Sequence, residues 1–95
     1  MIEKLKRRIP DAQDEALLQE LLDEAGAFIR AYTRRETLSP EMQSAQVRVA
    51  AVLYNRMGME GEASHSEGGV SRTAEALPGD LRAWLNSFRL ARSVN

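Results

Sequence analysis

"LLQELLDEAGAFIRAY", residues 17–32, decides the fold class. Leu18, Leu21, Leu22, Ala25, Phe28, Ile29 and Tyr32 follow one another in steps of 3, 1, 3, 3, 1 and 3. That rhythm puts every one of them on a single face of an α-helix and leaves the opposite face to Glu20, Asp23, Glu24 and Arg30. A strand would need alternation by two, which is absent here. The helix is predicted over about residues 12–35. Asp11 stands in position to cap it, acids fill its first turn, and Arg30, Arg34 and Arg35 complement its C-terminal dipole.

The same reading extends outward. Upstream, Ile2, Leu5 and Ile9 fall at helical spacing, so a short first helix is expected, ended by Pro10. Downstream, "TLSPEM" supplies Ser39 as an N-cap and Pro40 at the first helical position, where its missing N–H costs nothing. The third helix should run to about Met57 with Met42, Ala45, Val49, Val52, Leu53 and Met57 buried. Val47, Ala50 and Ala51 widen that stripe, as in a helix that is central in its bundle or touches a neighbouring subunit. Gly58 offers a C-cap.

Residues 59–77 carry no helical stripe and read as a long flexible loop, with a short strand around Val70–Thr73. A last helix is expected over about 79–91, with Leu81, Trp84, Leu85 and Phe88 as its apolar face. The expected architecture is all-α: one domain over residues 1–95, a small bundle of three main helices plus a short N-terminal one. A loop of nearly twenty residues in so short a chain is expected to be functional.

Composition narrows the chemistry. The 95 residues include no cysteine, which excludes disulfides and thiol catalysis. Apolar runs last only a few residues, so no membrane span is expected, and no apolar stretch follows the basic N-terminus as in a secretory signal. The expected place of synthesis is the cytoplasm. The net charge of −1 argues against a strong general pull toward nucleic acid. Charge is nonetheless segregated. Residues 3–8 hold four bases and one acid, residues 11–24 six acids and no base, and residues 82–92 three arginines and no acid. Separated acidic and basic faces suit head-to-tail docking between copies, although each patch taken alone also suits a solvated helix face.

No constellation carries catalysis. The one histidine, His65, has Ser64, Ser66 and Glu67 beside it, but triads are assembled in space by a scaffold rather than by adjacency in a loop. One imidazole with scattered carboxylates does not make a metal site. "GMEGEASHSEGG" lacks the Lys-Ser/Thr pair of a phosphate loop. No enzyme activity and no cofactor are expected. Trp84 reads as core packing or as an interface anchor. Tyr54, Asn55 and Arg56 read as a polar helix end or as a tie for the loop and its neighbours. The two basic ends would support weak, salt-sensitive phosphate contact, which keeps a small DNA-binding or DNA-packaging protein as the alternative.

The order of three stretches is distinctive: "YNR-x-G-x-EG" (Tyr54 to Gly61), "S-x-GG-V-S" (Ser66 to Ser71) and "LP-x-x-L-x-x-x-LN" (Leu77 to Asn86). In this order the chain resembles the small head–tail connector proteins of tailed bacteriophages and prophages, over nearly its whole length. The resemblance implies a virion structural protein at the neck. It implies a ring, usually of twelve copies, beneath the portal protein. That ring extends the DNA channel, lets genomic DNA pass without specific binding, and docks a neck, stopper or tail-completion protein. It places Leu85, Asn86, Phe88 and Arg89 in or near a portal-facing segment; with so few residues after Arg92, no long portal-binding tail is expected. Ser87 and Phe88 stand where the family often has proline and tyrosine. Assembly contacts are further expected at Tyr54, Asn55, Arg56, Gly58, Gly61, Gly68, Gly69, Val70 and Trp84.

Overall fold

The computed structural model describes residues 1–10, 14–60 and 69–89. The fold is all-α, and no strand occurs among the described residues. The helices are α1 (Ile2–Arg8), α2 (Glu15–Thr33), α3 (Pro40–Glu60), α4 (Gly69–Ala76) and α5 (Gly79–Asn86).

Local chemistry sets the ends of these helices. In α1, Ile9 leaves the helical region at φ −131°, one residue before a proline that disfavours helical backbone in its predecessor. Helix α2 is capped by Asp14, whose Oδ1 accepts from the Leu17 N–H at 3.1 Å. The cap expected at Asp11 lies outside the described residues. The C-terminus of α2 is Thr33, not residue 35, because Arg34 turns into the left-handed region at φ 65°. Helix α3 begins as expected, with Ser39 Oγ accepting from the Met42 N–H at 3.2 Å. It runs past Met57 to Glu60, so Gly58 lies inside the helix and does not cap it. A single interior glycine costs about 1 kcal/mol against alanine, and the good helix formers around it absorb that.

The largest departure lies in the segment expected as loop. Residues 69–76 form α4, not a strand, with Ala74 and the following Leu77 buried. Residues 61–68 are outside the described set. Helix α5 ends at Asn86, five residues short of the expected end. Ser87 Oγ donates to the Trp84 carbonyl at 2.5 Å, a back-bond that competes with helix continuation. Two tighter turns follow, Phe88 N–H to the Leu85 carbonyl and Arg89 N–H to that of Asn86.

Helices α2 and α3 form the main packed pair; α1 lies against both, and α5 also packs on both. Helix α3 packs against α1, α2 and α5, which accounts for its wide apolar face: Val47, Val49 and Ala50 are all buried. The core combines Leu5 of α1, Leu18, Leu21, Leu22 and Ile29 of α2, Met42 and Val49 of α3, and Leu81 and Leu85 of α5. Ion pairs at the surface join Lys6 with Glu15, and Arg48 with Asp80 at 3.4 Å. Exposed pairs of this kind contribute at most about 1 kcal/mol each.

A buried polar contact crosses the main helix pair. Gln46 is buried, and its Nε2 donates to the Leu22 carbonyl of α2 at 2.7 Å. It fits because Gly26 stands opposite: a Cβ there would lie 2.8 Å from Gln46 Nε2. Gly26→Val should expel the amide and lower the unfolding free energy by about 2 kcal/mol, read as a lower urea midpoint. An unchanged midpoint would show that the bundle does not depend on this close approach.

Candidate functional site

The residues after the middle of α5 fold back onto α2. Leu85 is fully buried and anchors the segment from beneath. On its surface side, the Tyr32 hydroxyl donates to Asn86 Oδ1 at 2.5 Å, and Arg35 Nε donates to the Phe88 carbonyl at 2.6 Å. The Arg89 guanidinium lies 4.8 Å from the Tyr32 ring centroid, a cation–π contact. Tyr32 in turn stacks on Phe28 at 5.4 Å.

Trp84 and Phe88 are both half-buried, with ring centroids 6.1 Å apart and planes inclined by 50°. Arg48 of α3 packs over the Trp84 ring at 5.8 Å while reaching Asp80. The tryptophan thus rests partly on the bundle and partly in solvent. Half-buried aromatics of this kind suit an anchor at an interface.

Of the residues singled out from sequence, Trp84, Leu85, Asn86, Phe88 and Arg89 come together here, fixed by α2 and α3. Tyr54, Asn55 and Arg56 lie about two turns further along α3 than Arg48. Tyr54 packs partly buried against the core, and Asn55 is exposed. Gly69 and Val70 start α4. Gly61 and Gly68 are outside the described residues, as is His65 with its neighbours.

Sequence reasoning missed Tyr32, Arg35 and Arg82 as parts of this surface. Tyr32 reads as core stripe and Arg35 as a dipole partner, yet their polar ends reach the chain more than fifty residues away in sequence. Arg82 Nη1 donates to the Ala74 carbonyl at 3.3 Å and so ties α5 to α4.

An open groove of about 480 Å³ lies where α2, α4 and α5 meet, with Arg34, Arg82 and Arg89 among its lining residues. No group of three or more acidic or histidine side chains is placed to hold a metal among the described residues. No helix among them is long and apolar enough to cross a membrane.

The family model described as phage gp6-like head-tail connector protein matches residues 3–89. No curated protein and no solved structure matches the chain.

Removing the Tyr32 hydroxyl should loosen the terminal segment. Tyr32→Phe is expected to cost about 1 kcal/mol, and a double-mutant cycle with Asn86→Ala should return a coupling of similar size. Zero coupling would mean that the pair does not hold the segment. Arg34→Gly, by contrast, should raise stability by roughly 0.5–1 kcal/mol in the same assay, because glycine meets no steric cost at φ 65°.

Proposed function

Because the chain belongs to the phage gp6-like head-tail connector family, we propose that it forms a single domain that assembles as a ring, usually of twelve copies, beneath the portal at the capsid vertex. The ring continues the DNA channel and presents a surface to the next neck, stopper or tail-completion protein. Its role is structural and non-catalytic, in the virion neck after synthesis in the host cytoplasm. The observation that carries this reading is the family match over nearly the whole chain.

The geometry supplies a candidate contact for the portal. Trp84 and Phe88 offer half-exposed aromatic surface beside Asn86 and Arg89, on a segment pre-ordered by Tyr32 and Arg35. Pre-ordering lowers the entropy lost on docking. Leu85 contributes by holding this segment down. Tyr54, Asn55 and Arg56, with the glycines from Gly58 to Gly69 and Val70, remain the second candidate contact region, toward neighbours or the neck component.

Arginines around the groove favour one other reading, a small DNA-binding or packaging protein. Salt separates the two. A duplex binder loses affinity steeply between low and physiological salt, whereas a connector shows little duplex affinity at either.

Light scattering over a concentration series, with and without purified portal, tests the proposal. A closed ring near twelve subunits, alone or on the portal, is the expected result. A monomer that ignores the portal would overturn it. Trp84→Ala with Phe88→Ala should weaken portal attachment by roughly 100-fold while the circular dichroism spectrum stays helical. Full attachment by this variant would remove the segment from the portal contact.

A further inference from the structure

Arg34 carries a cost that the fold does not explain. It is the one non-glycine residue with positive φ among the described residues, at 65°. Glycine meets no steric penalty in that region, and arginine does. The end of α2 needs the left-handed turn but no side chain at it. The Arg34 side chain is exposed and makes no hydrogen bond, ion pair or ring contact with another described residue. Strain kept without a bond in return points to work outside the fold.

That side chain stands where two grooves meet. The groove between α2, α4 and α5 shares Ala31 and Arg34 with a second open groove of about 460 Å³ that runs past Arg30 and Arg35. Together they are lined by five arginines against two acids, Glu36 and Glu75. Three of the arginines are held in place by the fold. Arg82 gives an N–H to the Ala74 carbonyl, Arg35 gives one to the Phe88 carbonyl, and Arg89 sits over the Tyr32 ring. A guanidinium has several N–H donors in a rigid fork, so each of the three keeps most of them for an incoming acceptor. Donors fixed in advance lose little entropy when an anion arrives.

We infer that this arginine groove binds a carboxylate-rich peptide segment of a partner protein, with Arg34 as its central contact. The inference rests on the connector reading above for its setting, in which the partner is a protein of the virion neck. Guanidinium and carboxylate pair as matched forks, with charge-assisted hydrogen bonds. The groove lies on the α2 and α4 side of α5, whereas Arg48 of α3 covers Trp84 on the other side. It is therefore a separate surface from the aromatic one and meets it at Arg89. Duplex DNA suits the groove less well. Glu36 and Glu75 stand within the lining. Glu20, Asp23 and Glu24 share the exposed face of α2 with Arg30 and Arg34. Glu24 is about 9 Å from Arg30 along the axis, close to one Debye length at physiological salt. A duplex, with a phosphate charge every ~1.7 Å, carries its charge on over those acids. A short peptide can end before them.

The probe is a fluorescent hexaglutamate peptide with blocked ends, titrated into the full-length protein and followed by anisotropy in about 0.1 M salt. Saturable binding is expected. Arg34→Gly should weaken it roughly 10-fold, while the urea midpoint rises. A loss of affinity in a more stable variant does not come from misfolding. Arg8→Gln removes the same charge from an exposed position on α1. That helix meets α2 at its other end, where Lys6 pairs with Glu15, about 28 Å from Arg34 along the axis. Arg8→Gln should therefore leave the affinity within about twofold, since salt screens charges so far apart. Equal losses from the two variants would reduce the binding to general charge and overturn the inference, as would no binding at all. Displacement of the peptide by an equal concentration of inorganic phosphate, or of a short duplex, would sink it too and give the groove to phosphate chemistry. Rings that form on the portal while the groove ignores the peptide would remove this inference and leave the connector reading standing. A monomer that ignores the portal but binds the peptide through Arg34 would do the reverse.

Discussion

The main helix pair, α2 on α3, carries a directional contact where Gly26 faces the buried Gln46. A glycine in the middle of a 19-residue helix sacrifices about 1 kcal/mol of helix propensity. In return the Gln46 amide enters the helix–helix interface and donates to the Leu22 carbonyl. A buried amide must be satisfied, so this bond permits one register between the helices and penalises others. The leucines on either side could pack in several neighbouring registers, since hydrophobic contact is not directional. The polar contact selects among them.

Fixing α2 on α3 also fixes the surface. Tyr32 and Arg35 extend from the last turn of α2 and its cap, and they reach the segment after α5 only because α5 crosses both main helices. The Asn86, Phe88 and Arg89 positions are thereby held by side chains that the chain meets fifty residues earlier. Arg48 adds a second brace from α3 through Asp80 and Trp84. Under the proposed portal contact, this surface is ordered before the partner arrives, which reduces the entropy lost on docking.

The polarised face of α2 gives the helix two roles. Its inner stripe builds the core and its outer stripe separates acids from arginines. The left-handed turn at Arg34 ends the helix and also sends an arginine side chain between two grooves. Among the described residues, left-handed backbone outside glycine is confined to Arg34.

Much of this was legible before any coordinates. The stripe from Leu18 to Tyr32 determined helix and core face together, because a 3.6-residue period admits no other element. Ser39 and Pro40 marked the start of α3 through a cap whose chemistry is local. The resemblance in "YNR", "GGVS" and "LPGDLRAWLN" pointed to the connector family, which the match over residues 3–89 bears out. Helix α4 was not legible. Gly68 and Gly69 signal a turn, and eight residues are too few to show a period, so tertiary burial of Ala74 and Leu77 decides the matter. The end of α5 escaped as well, because Ser87 competes for the Trp84 carbonyl only once the turn has formed. The sequence by itself determined which residues face inward, since periodicity is a property of neighbours along the chain. Only the tertiary structure decided which polar ends meet across it, as with Tyr32 and Asn86 or Gln46 and Leu22, because such contacts depend on where separate helices cross and leave no periodic trace.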